Sequence, residues 1–185
     1  MVEPALIFPV GGPEVWLRPI DRADAEAMVP YFSSPEVCRF IPWEPRDIEG
    51  VLGFIDEKVT AVIPTEDSQH IILGIEARGL GLIGQANFTL KSSRDRSGEF
   101  GYVINPAFSG RGLATTGVSL FVDFLFNVAD LRRLTARIDS RNSKSIALAQ
   151  RLGMRLEATE VEVELFKGEW VTMHSFALLR KHWRA

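Results

Sequence analysis

The spacing of apolar positions changes along the chain, and each change predicts an element. "VWLRPI" alternates and is rich in β-forming residues, so a strand is expected over Val15–Ile20. Asp21 is a good N-cap for a short helix in "RADAEAMVPYF". The next stretch, "SSPEVCRFIPWEPRD", has no period and carries three prolines, so it reads as irregular. Asp47 then caps a second helix expected over Ile48–Ile63, with Val51, Leu52, Ile55, Val59 and Val62 at helical spacing. "QHIILGIEARGLGLIGQANFTLK" reads as a hairpin that turns at "RGLG", "SSRDRS" as a solvated turn, and "GEFGYVIN" as a further strand. "SGRGLATTGVSLFVDFLFNV" is a helix with its entry turn, and "RRLTARID" a strand. "SRNSKSIALAQRLG" is a helix with Gly153 at its C-cap, and a last hairpin turns at Lys167-Gly168-Glu169. The order β-α-α-β-β-β-α-β-α-β-β, with hairpins around one βαβ unit, predicts a mixed sheet with helices on both faces.

The 185 residues suffice for one domain with a full core, and no linker or repeat divides them, so 1–185 is read as a single domain. A net charge of −3 argues against nucleic acid as the main partner. No apolar run approaches the roughly 18–20 residues of a membrane helix. The start "MVEPALIFPVGG" lacks the basic, then apolar, pattern of a secretory leader, so a cytoplasmic protein is expected. With one cysteine, Cys38, no intrachain disulfide forms. Cys38 reads as a small apolar residue in or near the core. Three histidines, His70, His174 and His182, without ligand spacing offer no metal site, and His70 and His174 sit inside strand patterns.

The chemistry is concentrated in "SGRGLATT" at the mouth of the long apolar helix. A helix start exposes unpartnered N–H groups and a partial positive charge, where an anion fits. Glycine lets the backbone approach that anion closely. Arg111 adds a cation, and Thr115 and Thr116 add hydroxyls. An anion cradle and a plain solvated turn both satisfy the local string. A P-loop is excluded because no lysine follows the glycines, and a dinucleotide fold is disfavoured by the flanking hairpins.

"GYVINPAFSGRGLATTGVSLFVDFLF" followed by "LRRLTARIDSRNSKSIALAQRLGM" resembles the GNAT superfamily of acyl-CoA-dependent N-acetyltransferases, and more narrowly its Rim-type branch, which acetylates ribosomal-protein N-termini. "WLRPIDRADAEAM" and "FIPWEP" are similar to earlier segments of that branch, so the resemblance spans about Trp16–Leu179. It implies a mixed α/β GNAT fold: a mostly antiparallel central sheet, one parallel splayed strand pair, and helices on both faces. It implies acetyl-CoA as co-substrate, no metal, and a primary-amine acceptor. The leading acceptor is a protein or peptide N-terminus. The alternatives are a small-molecule amine, or a non-catalytic acyl-CoA-binding module. The resemblance also allows a homodimer.

Carried over, the pyrophosphate loop falls on Ser109, Gly110, Arg111, Gly112, Leu113, Ala114 and Thr115, with Ser109 where the family has a Gln or Arg. Tyr102, Val103 and Ile104 would bind the pantetheine amides through their backbone. Glu99 is the candidate base; alternation puts it on one sheet face with Gly101 and Val103, opposite Phe100, Tyr102 and Ile104. The tyrosine acid of many superfamily members is replaced by Ala149. The branch's N-x-x-S string matches Asn142 and Ser145, which would orient pantetheine or a water and hydrogen-bond the sulfur; both residues are equally suited to helix capping. Phe40, Trp43 and Glu44, with Phe32 and Trp170 nearby in the pattern, are the candidate acceptor wall.

Overall fold

The computed structural model describes residues 8–59, 61–66 and 69–183. Its frame is one eight-stranded sheet. In chain order the strands are β1 (Val10–Gly11), β2 (Val15–Arg18), β3 (His70–Ala77), β4 (Gly81–Ser92), β5 (Ser97–Ile104), β6 (Arg133–Asp139), β7 (Arg155–Phe166) and β8 (Glu169–Leu179). They lie side by side in the order β1-β2-β3-β4-β5-β6-β8-β7. Every neighbouring pair is antiparallel except β5 and β6, which run parallel. The helices are α1 (Ala25–Phe32), α2 (Pro35–Cys38), α3 (Ile48–Lys58), α4 (Leu113–Asn127) and α5 (Ser143–Arg151).

The period-two alternation of the strands divides the core into two layers. One layer joins Leu17, Leu73, Ile75, Phe88 and Phe100 to Val118, Phe121 and Leu125 of α4 and Leu148 of α5. The other joins Ile72, Leu82 and Val103 to Met28, Tyr31 and Phe32 of α1 and to Val51, Phe54 and Ile55 of α3. Phe100 and Val103 therefore face opposite ways, as the alternation predicts. Gly117 lets α4 press onto the sheet: a Cβ there would lie 2.4 Å from a methyl of Ile75.

Element types match the sequence expectations; several boundaries move. The two-residue strand β1 precedes every expected element, the strand expected over Val15–Ile20 is β2 and ends at Arg18, and Asp21 caps a single 3-10 turn that leads into α1. The helix expected over Ile48–Ile63 stops at Lys58, because Val59 leaves the helical region (φ −92°, ψ 71°). Thr60, inside the expected span, lies outside the described residues, as does the start of the chain on which the leader expectation rests. The irregular stretch holds the short helix α2, capped by the Ser34 hydroxyl. Gly153, at φ 74°, ends α5, and the last hairpin turns on Lys167 and Gly168 in left-handed conformations. Cys38 is buried, its thiol pushed up by that burial and hydrogen-bonded to the Phe32 carbonyl. Among the described residues no helix is long and apolar enough to cross a membrane.

Candidate functional site

Among the described residues the sheet opens at the parallel pair. β5 and β6 are joined at Ser97–Arg133, Gly98–Leu134 and Glu99–Thr135, and there the ladder ends. Both strands run on, to Ile104 and Asp139, without pairing to each other. The result is a V whose apex lies at Glu99. α4 follows β5 and α5 follows β6, so both helices start beside the mouth of the V, outside the carboxyl ends of the two parallel strands.

On the α4–α5 side the V opens into a groove of about 590 Å³. Tyr102, Val103 and Ile104 form one wall, and Asn142, Ser145, Leu148 and Arg151 another. Ser109, Gly110 and Ala114 close its end. Gly110 and Gly112 stand at φ 78° and 76°, conformations that strain other residues, and Gly112 is the N-cap of α4 with no side-chain cap. The first turn of this fifteen-residue helix therefore has no side-chain cap, and its Ala114 lines the groove. Cations gather at the rim. Lys144 reaches Glu36 across the groove at 3.3 Å, and Arg151 Nε donates to Thr115 Oγ1 at 3.3 Å. Of the expected loop residues, Arg111, Gly112, Leu113 and Thr115 do not line this groove, and the Thr115 hydroxyl serves Arg151.

On the other side the V opens into a cleft of about 500 Å³ beneath α3 and the α2–α3 segment. Its floor is polar: Gln85, Asn87 and Thr89 of β4, with Glu99 of β5. Phe40, Ile41, Tyr102, Val103, Asn142, Ser145 and Leu148 line both cavities, so groove and cleft meet there. At the junction the Tyr102 hydroxyl donates to Ser145 Oγ (3.2 Å), and the Ser145 amide donates to Asn142 Oδ1 (3.1 Å). Burial raises the Tyr102 phenol, with the Ser145 bond and the Arg151 charge acting against it, so the hydroxyl keeps its proton. Asn142 is the N-cap of α5, and the turn before it is pinned by Asp139, which accepts from the Arg141 backbone (2.8 Å) and guanidinium (2.7 Å). Burial works to raise the Asp139 carboxyl, but the Arg141 bonds and charge outweigh it and hold it below the usual carboxylate range. Glu99 is half-exposed to the cleft, with Lys91 Nζ 4.0 Å away.

The acceptor-wall candidates separate. Phe40 and Trp43 line the cleft, Trp43 stacking on the buried Phe32 with ring centroids 5.1 Å apart. Glu44 does not line it; its carboxylate is turned outward to Lys167 (3.1 Å). Trp170 is exposed on β8 and lines neither cavity. Ala149 is buried at the cleft wall and brings no acid. His70 lines the cleft half-buried, with Nδ1 2.9 Å from Thr89 Oγ1; burial and Lys58 lower its pKa, so it is neutral near pH 7. The sequence reading missed the polar floor, Arg46 and the Tyr102 hydroxyl. The floor had a signal, since Gln85, Asn87 and Thr89 repeat at period two on a strand face that helices cover. Among the described residues no group of His, Cys, Asp and Glu is placed to hold a metal ion.

Residues 14–155 match the family described as acetyltransferase (GNAT) domain. The chain is 25% identical over 156 residues to a spermidine N(1)-acetyltransferase of Escherichia coli, covering 84% of this chain and 81% of that one. Among solved structures, a GNAT-family acetyltransferase from Bacillus anthracis superposes with a TM-score of 0.81 over 95% of this chain and all of that one, at 21% identity. A putative ribosomal-protein-serine acetyltransferase from Vibrio cholerae superposes with a TM-score of 0.77 at 21% identity, covering 93% and 97% of the two chains. At these identities the superpositions establish the fold.

Proposed function

The chain belongs to the acetyltransferase (GNAT) family and catalyses acetyl transfer to an amine, and we propose that its acceptor is the α-amine of a protein or peptide N-terminus, as in the Rim-type branch. The similar proteins include both a spermidine acetyltransferase and a putative ribosomal-protein-serine acetyltransferase, so kinship fixes the reaction and the cleft must choose the acceptor. The observation that carries the proposal is the junction: one V joins a groove with uncapped helix donors to a cleft with a single available carboxylate.

Acetyl-CoA supplies the acetyl group as a thioester. The fit is supported by the left-handed glycines, the uncapped start of α4 and the cationic rim, which suit its phosphates. The unpaired edges of Tyr102–Ile104 would hold the pantetheine amides. Transfer requires a neutral amine, and the C–N bond forms as the C–S bond breaks. Glu99, directly or through a water on the polar floor, takes the proton that the amine sheds. Ser145 Oγ, backed by the Tyr102 hydroxyl, donates a hydrogen bond to the departing sulfur, and the thiolate takes up a proton from water as Glu99 gives its own back to water. Asn142 fixes the Ser145 turn.

An α-amine, with a reference pKa of about 7.7–8.0 against about 10.4 for a lysine side chain, is neutral in roughly a tenth or more of molecules at pH 7 and needs only weak help. Glu99 is weak help: half-exposed and close to Lys91. The other carboxylate of the cleft, Asp139, is tied to Arg141, leaving little to bind a polycation. A thiol-release assay with acetyl-CoA tests this against peptides whose lysines are blocked and against spermidine. Peptides are expected to exceed spermidine in kcat/KM. Faster turnover of spermidine would sink the N-terminal reading and leave a small-molecule enzyme, which the spermidine relative favours. Absence of any stabilisation by CoA would sink the groove assignment.

A further inference from the structure

One corner of the acceptor cleft has hydrogen-bond donors without matching acceptors. The Phe54 ring packs against both the Arg46 guanidinium, 5.8 Å from its centroid, and the Trp43 indole, 5.9 Å centroid to centroid. Arg46 is half-buried. Among the described residues its side chain makes one hydrogen bond, a long one of 3.5 Å to the Gly50 carbonyl, and no ion pair. A guanidinium has five N–H donors in a planar fork shaped for a carboxylate. Trp43 Nε1, on the other ring packed against Phe54, is buried with no partner. Buried donors normally find acceptors, so this orphan marks an unfinished site.

The rest of the wall is neutralised. Arg137 is held by Glu160 (3.3 Å) and Glu164 (2.9 Å), and Asp139 by Arg141 (2.7 Å). Lys58, at the end of α3 on the same cleft, has no ion pair among the described residues. The unanswered charges of the cleft are thus two cations, Arg46 and Lys58, set against Glu99, which sits near Lys91.

We infer that the Arg46–Trp43 corner is an anion subsite, and that the acceptor carries a carboxylate on the same molecule as its amine: for a peptide, Asp or Glu just behind the N-terminal residue. This rests on the acetyl-transfer reading of the cleft. Ile41 lines the junction where the amine must arrive, and Trp43 lies two residues along the chain, at most about 7 Å away in extended backbone. A peptide spans roughly 3.3–3.6 Å per residue, so an acidic side chain at its second to fourth position is within reach of the corner. Arg46 fixes that carboxylate by a fork of charge-assisted bonds, and Lys58 adds an attraction that a polyamine would feel as repulsion.

The test uses the full chain, acetyl-CoA and three peptides that differ only at positions two to four: Asp, Gln or Arg. Asp peptides are expected to exceed Arg peptides by about tenfold in kcat/KM, mostly through KM. In Arg46→Gln that ratio should fall below about threefold; taking the ratio within each variant removes any effect of lost folded protein. Arg78→Gln, which disturbs an exposed pair with Glu14 and a hydrogen bond to the Pro13 carbonyl beside the far strands, should keep the wild-type ratio. A wild-type ratio near one, or a ratio unchanged in Arg46→Gln, overturns the subsite. If no peptide is turned over, the acetyl-acceptor reading fails separately. Equilibrium binding of the same peptides, fluorescently labelled at the C-terminus, then decides the subsite: tighter Asp peptides uphold it and equal binding overturns it.

Discussion

The two cavities that meet at Tyr102 and Ser145 are made by different kinds of chain. The groove is built from regular elements: the ends of β5 and β6, the starts of α4 and α5, and a turn whose glycines expose backbone donors. The cleft is built from side chains: an aromatic wall on the irregular segment between α1 and α3, and polar residues standing on the sheet floor. A backbone-made site tolerates side-chain change, because its donors belong to every residue. A side-chain-made site changes ligand with each substitution. One chain can thus keep a reaction and alter its acceptor, as expected when the relatives share a fold and differ in the acceptor they are named for.

The sharpest way to break the comparison is at Glu99, the cleft residue nearest the apex of the V. Glu99→Gln keeps size and removes the proposed base. A drop of about a hundredfold in kcat is expected, within the range for a general base, with CoA affinity unchanged. Steady-state kinetics and a CoA titration check both halves of the statement. An unchanged kcat would move the base to His70, the neutral imidazole on the same cleft.

The next effect is on the footing of the cleft. Arg18 binds both oxygens of Asp24 at 2.7 Å and also contacts Glu76, while Asp24, 8% exposed, opens the way into α1. Burial works to raise Asp24, but the Arg18 bonds outweigh it and hold its carboxyl below the usual range. Arg18→Met leaves that carboxylate without its partner. Removing one member of a fully buried pair costs more, but Arg18 is a quarter exposed, so a loss of about 2 kcal/mol near pH 7 is expected in urea unfolding. Because the folded carboxyl is depressed, its stabilisation is present above the unfolded value of about 3.9 and disappears as pH falls below it. The gap between wild type and variant should therefore narrow below about pH 4; a gap that stays constant would assign the loss to packing.

The groove responds differently, through backbone conformation. Gly112 holds φ 76° and has open space where a Cβ would stand, so Gly112→Ala meets no clash but must adopt a conformation about 1–2 kcal/mol less favourable for an L-residue. Roughly tenfold weaker CoA binding is expected, with the Asp-to-Arg peptide ratio unchanged. A shift in that ratio would show that the two cavities are not separable.

The same division decides what could be read from the sequence. Strands β2 to β8, α4, α5 and the glycine turn were legible because periodicity and glycine placement are properties of neighbouring residues. The opening of β5 from β6 was expected only from resemblance, since nothing local says where a ladder stops. Glu44 and Arg46, two residues apart on an aperiodic segment, could not be sorted into outside and inside: Glu44 pairs with Lys167 from the last hairpin, and Arg46 turns onto Phe54 of α3. Asn142 and Ser145 suited capping and chemistry equally. The structure gives Asn142 the cap and places the Ser145 hydroxyl under Tyr102, forty-three residues earlier in the chain.

Tyr102 belongs to both regions, which makes its hydroxyl the finest probe of how they join. Tyr102→Phe keeps the ring in the core layer and deletes the donor to Ser145. The lost bond is between neutral groups, so stability should fall by about 1 kcal/mol or less. CoA binding should be unchanged, because the strand backbone that would hold pantetheine is untouched. If the hydroxyl supports Ser145 at the departing sulfur, kcat should fall by about three- to tenfold, and Ser145→Ala should lower it comparably. The double variant should then lose little more than either single one, since both changes remove the same connection. Additive losses would show two independent roles and detach Tyr102 from the chemistry at the junction.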